Sequence, residues 1–376
     1  MATLKGINLT LLMGPAVPVP APRELVEALE SAQVTVAAGQ RSGFQLVFGA
    51  SKDSIITKTL IPAGFFDPLI RVVLVCTINS TPEVLIDGVI TRQEMAPSNQ
   101  PNASKLTITG EDLSAVMDLV DLTGVPYPAI PPVAVIALIL ARYAVFGVIP
   151  APVPPIFNDI ENPLVRVPAQ KGTDFAFITA LAEQVGYVFY IEPGPAPGSS
   201  IAYWGPEVRV GLPQPALGVN MDAASNVDTL TFSLDGNART QYIAIVQEPI
   251  TKVSIPVPIP DVGILKPPLS ARPPLPLKVK KLDTTAKFSM LKAIAYGVGQ
   301  TAKSNDAVSG NGSLDVLRYG GTLKARRLVG VRGAGRGYDG LYYVKSVTST
   351  LKRGEFKQSF SLVRDGLISL TPTVPT

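Results

Sequence analysis

Histidine is absent from the chain, cysteine and tryptophan occur once each, and charge is scarce. Each shortage closes off something. Without imidazole there is no Ser-His-Asp or Cys-His catalytic arrangement and no histidine-based metal site. The single Cys76 excludes a disulfide within the chain and any thiolate metal cluster. It lies in the apolar run RVVLVCTI and reads as a small buried hydrophobe. Charged residues make up only 16% of the chain, against about a quarter in ordinary soluble domains, while hydrophobic residues make up 46%. Such a chain either holds a large core or covers much of its outside with neighbours. Net charge is +4 with lysine and arginine scattered along the chain, so no nucleic-acid recognition is indicated.

The 376 residues allow two or three domains. The N-terminal MATLKGINLTLLMGPAVPVPAP lacks the charged start and long apolar core of a signal peptide. The apolar segment from Val125 to Val153 is interrupted by Pro126, Pro128, Pro131, Pro132 and Pro150 and carries Arg142. That leaves too few helical residues for the ~20 that span a bilayer. The expectation is a buried helix, Val133–Tyr143, with no membrane anchor.

What the chain does have is strand signal. SAQVTVAA, GFQLVFGA, DSIITKTLI, LIRVVLVCTI, PEVLIDGVITRQEM and ASKLTITGEDL are short β-branched or aromatic runs separated by turn formers. Alternation in KLTIT and QLVF gives one wet and one buried face, as in antiparallel barrels or sandwiches. A helical middle follows: LSAVMDLVDL, the Val133–Tyr143 segment, and TDFAFITALAEQVGY, with Thr173 as N-cap and Gly186 as stop. Strands return in YVFYIE, SIAYWG, VDTLTFSLD and TQYIAIVQ. The proline-rich stretch Glu248–Leu282 reads as a long loop or arm, because repeated proline cannot enter a central strand. A helix at SMLKAIAYGVGQTAK precedes LKARRLVGV, GLYYVKSVTSTL and EFKQSFSLVRDGL, which alternate as strands. In the last hairpin, Lys352, Arg353 and Gly354 make the turn and Phe356, Phe360 and Leu362 face a core. Strict alternation puts Val347 on the face of Tyr343, opposite Tyr342 and Val344. No repeat of fixed short period is visible.

Motifs that carry chemistry are weak here. GAGRGYDG contains G-x-G-x-x-G at Gly335, Gly337 and Gly340, but a strand follows it where a dinucleotide site needs a helix. Ser289-Met-Leu-Lys292 spells S-x-x-K with no supporting second motif. Glu111, Asp112 and Asp118 cluster at a helix start, where acids favour the dipole. Trp204 beside Tyr203 offers a stacking platform in principle. The reading names no catalytic, cofactor-binding or metal-ligating residue and no cofactor. The rivals to a structural role are a cell-wall hydrolase and a surface-binding module.

Three segments resemble the late control protein D family of phage tails, whose relatives include baseplate hubs and the hub part of type VI secretion spikes. The first is VRVPAQKGTDFAFITALAEQVGYVFYIEP, through Gln170, Asp174, Phe175, Leu181, Ala182, Glu183, Gly186 and Tyr187. The second is ASNVDTLTFSLDG, from Ala224 to Gly236. The third is GYDGLYYVKSVTSTLKRGEFKQSFSLVRDGL, through Tyr342, Val344, Val347, Gly354, Phe356, Phe360, Leu362, Arg364 and Gly366. Ser349 departs from the family, which often carries histidine there. The first hundred residues are similar only in strand content.

The resemblance implies a mainly β chain with two related β-barrel tube-type domains and a small helical and α/β insertion. The expected division is 1–118 for the first barrel, 119–215 for the insertion and 216–376 for the second barrel, interrupted by the proline-rich arm 248–282. It further implies a homotrimeric ring, a structural baseplate hub between inner tube and spike, with tube, spike and other baseplate proteins as partners. Such a protein would assemble in a bacterial cytoplasm before joining the particle. Spike-fused relatives continue into a further barrel and needle; with the chain stopping at SLTPTVPT, the spike is expected to be a separate polypeptide.

Overall fold

The computed structural model describes residues 6–100, 103–155, 168–247, 253–259, 266–282, 290–371 and 374. The fold is mainly β with small α/β insertions. The first half contains β1 (Ile7–Gly14), β2 (Val19–Pro20), α1 (Arg23–Ala28), β3 (Leu29–Ala37), β4 (Gly43–Gly49), β5 (Arg71–Ile78), β6 (Thr81–Ala96) and β7 (Lys105–Asp112). An inserted layer follows, made of α2 (Pro132–Ala141), β8 (Val148–Pro152), α3 (Asp174–Gln184), β9 (Val188–Pro193) and β10 (Ser200–Gly205). Next come β11 (Gln214–Gly218), β12 (Thr229–Leu234), β13 (Thr240–Gln247), β14 (Ser254–Pro258), β15 (Ser270–Arg272), β16 (Lys278–Leu282) and α4 (Met290–Ser304). The chain ends with β17 (Val308–Asp315), α5 (Val316–Tyr319), β18 (Leu328–Arg332), β19 (Gly340–Lys352), β20 (Glu355–Arg364) and β21 (Leu367–Ser369).

One sheet of thirteen strands runs through both halves, in the order β12-β17-β20-β19-β3-β4-β7-β6-β5-β1-β2, with β18 and β11 branching from β19. Its apolar face closes on a single core containing Leu46, Phe48, Val72, Leu74, Ile108, Tyr342, Val344, Phe356, Phe360 and Leu362. The alternation in these strands produces that face, since every second side chain points inward.

The final hairpin turns where expected, with Gly354 at φ 78°, but the turn is only Arg353-Gly354, because Lys352 still pairs with Glu355 in the ladder. Phe356, Phe360 and Leu362 are buried and Lys357 is exposed. Strict alternation along β19 fails, however. A bulge at Lys345 separates Val344↔Leu362 from Ser346↔Ser361, so Val347 lies on the same face as Tyr342 and Val344. The run DSIITKTLI is not a strand either. Residues Ile56–Leu60 form a π-helical turn that buries Ile56 and Leu60, a helical i, i+4 spacing.

The proline-rich stretch also departs from the expected arm. Its described residues fold back on their own chain as β14-β13-β16, with Ala244, Val246, Ile259 and Ala293 of α4 forming a small core. Pro256 and Pro258 lie in the edge strand β14, where a missing N–H costs no internal hydrogen bond, and proline-free β13 takes the centre. Residues 248–252 and 260–265 lie outside the described residues.

In the inserted layer, α2 begins at Pro132 and buries Val135, Ile136, Ile139 and Leu140 against α3 and the β8-β10-β9 sheet. Thr173 caps α3 by accepting from the Ala176 N–H, and Gly186 ends it at φ 70°. A Cβ on Gly186 would lie 2.9 Å from the Gly299 Cα, so this glycine also permits close approach of α4. Among the described residues no helix is long and apolar enough to cross a membrane.

Candidate assembly interface

The two halves of the large sheet are built alike. The first runs β3-β4-β7-β6-β5-β1 and the second β12-β17-β20-β19-β18-β11. In each half a long strand carries a bulge, at Lys345 in β19 and at Thr91 in β6, facing the same position of a hairpin partner. A small helical element, the π-turn or α5, separates the second strand of the order from the fifth along the chain. One difference is that β11 joins β18 in parallel whereas β1 joins β5 antiparallel. Bulk is exchanged across one matching pair. Phe44 packs over Gly110, whose Cβ would lie 2.2 Å from the ring, while the matching positions hold Gly310 and Leu362.

The halves meet where the end of β19 pairs antiparallel with β3, from Ser346↔Ala37 to Lys352↔Ser31. Val347, Ser349 and Leu351 face inward beside Val36, Val34 and Ala32, and on the other face the Thr35 and Thr348 hydroxyls are 3.1 Å apart. Buried Ser349 accepts from Gln358 Nε2 at 3.0 Å, while Gln358 also bonds both backbone groups of Leu323. This buried, fully satisfied amide ties β20 to the β19 strand of the joint and to Leu323.

Two of the strand edges left unpaired among the described residues lie at matching places in the two halves. The outer edge of β12 is one, and the last six residues of β6, Thr91–Ala96, exposed along their whole length, form the other. Unpaired edges of this kind are templates for another chain.

Buried ion pairs tie the remaining elements to the sheet. Arg71 donates to both carboxylate oxygens of Asp87 at 2.7 Å and to the carbonyls of Ala16 and Gly198, and Ser200 Oγ donates to Asp87. This clamps the inserted layer to β5 and β6. Arg209 holds Asp306 through two bonds, at 2.6 and 2.7 Å, and Glu207 through a third. Burial alone would raise the Asp306 pKa, but the hydrogen bonds and charge of Arg209 outweigh it and hold the carboxyl below its ordinary value. The motif residue Asp174 accepts from Gln170 at 2.7 Å and from the Tyr143 hydroxyl at 2.8 Å. Arg364 donates to the carbonyls of Gly337, Asp339 and Gly366, and burial pulls its pKa down.

The positions weighed for chemistry have structural employment. The GAGRGYDG glycines form the β18–β19 turn whose carbonyls Arg364 holds. Glu111 and Asp118 bind Arg41, while Asp112 accepts from the Ser42 and Ser114 N–H groups and caps the turn Leu113–Asp118. Trp204 is fully buried edge-on against Tyr187, so it is no stacking platform. Burial pushes the Cys76 thiol up to about 12, away from reactivity. Ser289 lies outside the described residues. Among the described residues no three metal-ligating side chains converge. A cleft of about 850 Å³ lies between β1, α1 and the β19–β20 turn, lined by Ile7, Leu9, Val26, Glu30, Leu351 and Lys352.

No family model and no curated protein matches the sequence. Solved structures do. A tail protein from Neisseria meningitidis MC58 is similar with TM-score 0.64 at 13% identity, covering 96% of this chain and 98% of that one. The 43 kDa tail protein of prophage MuSo2 from Shewanella oneidensis has TM-score 0.62 at 12% identity, covering 96% and 100%. A chain of the Francisella PdpA–VgrG complex has TM-score 0.59 at 10% identity; this chain is covered completely and spans 55% of it. The chain has the fold of phage tail proteins, shared with a component of a VgrG complex. The resemblance seen in three sequence segments therefore extends to the architecture of nearly the whole chain.

Proposed function

We propose that this protein is a structural baseplate or tail hub: three copies form a ring that joins an inner tube to a central spike. The observation that carries the reading is the single sheet made of two like-ordered units joined edge to edge through β3 and β19, with the outer edge of β12 and the Thr91–Ala96 edge of β6 unpaired among the described residues. Three such chains present six similar units around an axis while keeping threefold identity, which suits a sixfold tube on one side and a threefold spike on the other. The low charge content fits a chain whose surface is covered in the assembly. In this hub the first unit takes residues 1–118, the insertion 119–215 and the second unit 216–376; the pairing of β11, which starts at Gln214, with β18 supports a boundary in that neighbourhood. On this reading the chain is not an enzyme, binds no cofactor, carries no membrane anchor, and partners tube, spike and other baseplate proteins.

The test is to mix purified chain with its cognate tube and spike proteins and determine mass by sedimentation. A stable trimer that bridges both partners supports the hub. A persistent monomer, or digestion of bacterial cell wall by the chain alone, overturns it.

A further inference from the structure

The chain contains one finished copy of a joint and both unfinished sides of a second. Superimposing the two strand orders on their bulges makes Lys345 equivalent to Thr91, so Val347, Thr348 and Ser349 of β19 correspond to Gln93, Glu94 and Met95 of β6. Following the ladders outward, Phe360 corresponds to Ile108 and Gly312 to Leu46, which makes Leu230, Phe232 and Leu234 of β12 the counterparts of Ala32, Val34 and Val36 of β3. Within the chain, β19 uses its segment after the bulge to pair with β3. The matching segment of β6 and the matching strand β12 have no such partner among the described residues.

We infer that a second copy of this chain fills that vacancy, with β6 of one protomer pairing antiparallel to β12 of the next in the register Arg92↔Asp235, Gln93↔Leu234, Glu94↔Ser233, Met95↔Phe232 and Ala96↔Thr231. The inference rests on the ring reading above and specifies its seam. The side chains agree with it. Met95 and Leu234, both exposed apolar residues, lie on the face that carries the core, together with half-buried Phe232. The seam sets them beside one another, as Val347 and Ser349 lie beside Val36 and Val34. On the opposite face Arg92 meets Asp235 with opposite charge, and exposed Glu94 meets exposed Ser233. A seam that uses one edge of each kind is head-to-tail, so its repetition does not give a two-fold dimer but a ring when the rotation between copies closes.

Thr35 and Thr348 show the spacing to expect at Glu94 and Ser233, because their side-chain oxygens are 3.1 Å apart across the finished joint. Directly opposed residues of an antiparallel pair fall within disulfide reach. The experiment is the double variant Glu94→Cys with Ser233→Cys, oxidised mildly in the presence of tube and spike proteins and run on a non-reducing gel. The control is Glu94→Cys with Thr231→Cys, two residues out of register. Most of the first variant should convert to covalent trimer and the control should convert at least tenfold less. A chain that sediments as a trimer yet cross-links in neither variant, or better in the control, overturns the seam while leaving the hub intact. A chain that stays monomeric overturns the hub and the seam together.

Discussion

The first half of the sheet is compact along the chain, whereas the second is interrupted. Between β3 and β4 the chain makes a short turn, but between the equivalent β12 and β17 it inserts the small β13–β16 sheet and α4. After β7 it inserts the α2–α3 layer, but after the equivalent β20 it adds only β21 among the described residues. Insertions thus sit at connections between strands, and strand order and bulges are kept. A sheet tolerates long excursions in its loops because closing a longer loop costs only slowly growing entropy, while a slipped strand turns its whole apolar face to water. The difference also identifies which contacts are specific to one half: the Arg71–Asp87 clamp serves the first insertion and the Arg209–Asp306 clamp the second.

Breaking the first clamp should have the largest effect. Arg71→Ala leaves the Asp87 carboxylate buried without its cation, a loss of roughly 3–5 kcal/mol. Urea unfolding followed by Trp204 fluorescence should show the inserted layer released early; an unchanged midpoint would mean that the clamp holds nothing. Phe360→Ala empties a core position of the second half at a cost of about 3–5 kcal/mol, and Phe44→Ala tests the first half in the same range. Hydrogen exchange should show each variant loosening chiefly its own half, and uniform loosening would indicate one indivisible unit.

A smaller effect is expected from pH. Asp306 has its folded-state pKa depressed, so its contribution is complete above the ordinary carboxylate value of ~3.9 and is lost as pH falls through the lower folded value. Exchange in β13 and α4 should therefore accelerate in that acid window, and Asp306→Asn should remove the dependence. Persistence of the same acid dependence in the variant would assign it to other groups. Lys357→Ala should be almost silent, within about 0.5 kcal/mol, since the side chain is exposed and its ion pair is with half-buried Glu355 at the surface.

Much of this fold was legible in the sequence where local pattern and tertiary demand coincide. The last hairpin shows it: Gly354 supplies the turn and every second residue from Phe356 to Leu362 is inward. The bulge at Lys345 was hidden because an extra residue leaves no mark on composition. Ile56 and Leu60 passed for strand residues because β-branched runs are ambiguous over so short a length. Prolines in 253–282 hid β14 and β16, since edge strands accept what central strands refuse. The internal likeness was expected only through the family resemblance and left no repeat in the residues, because matched positions differ, Gln93 against Val347 and Gly110 against Leu362, and the β13–α4 insertion destroys any constant spacing. The candidate interface was legible only as scarce charge and unpaired strands; its residues emerge from ladder register, which no single segment encodes.

The central claim is that the two halves are equivalent units around one axis. An end-on projection of the isolated assembled ring by electron microscopy tests this most directly. The account predicts three chains and six near-equal lobes at equal radius, alternating between first and second halves. A ring of any other copy number, or one in which the second half lies off the circle traced by the first, would contradict it.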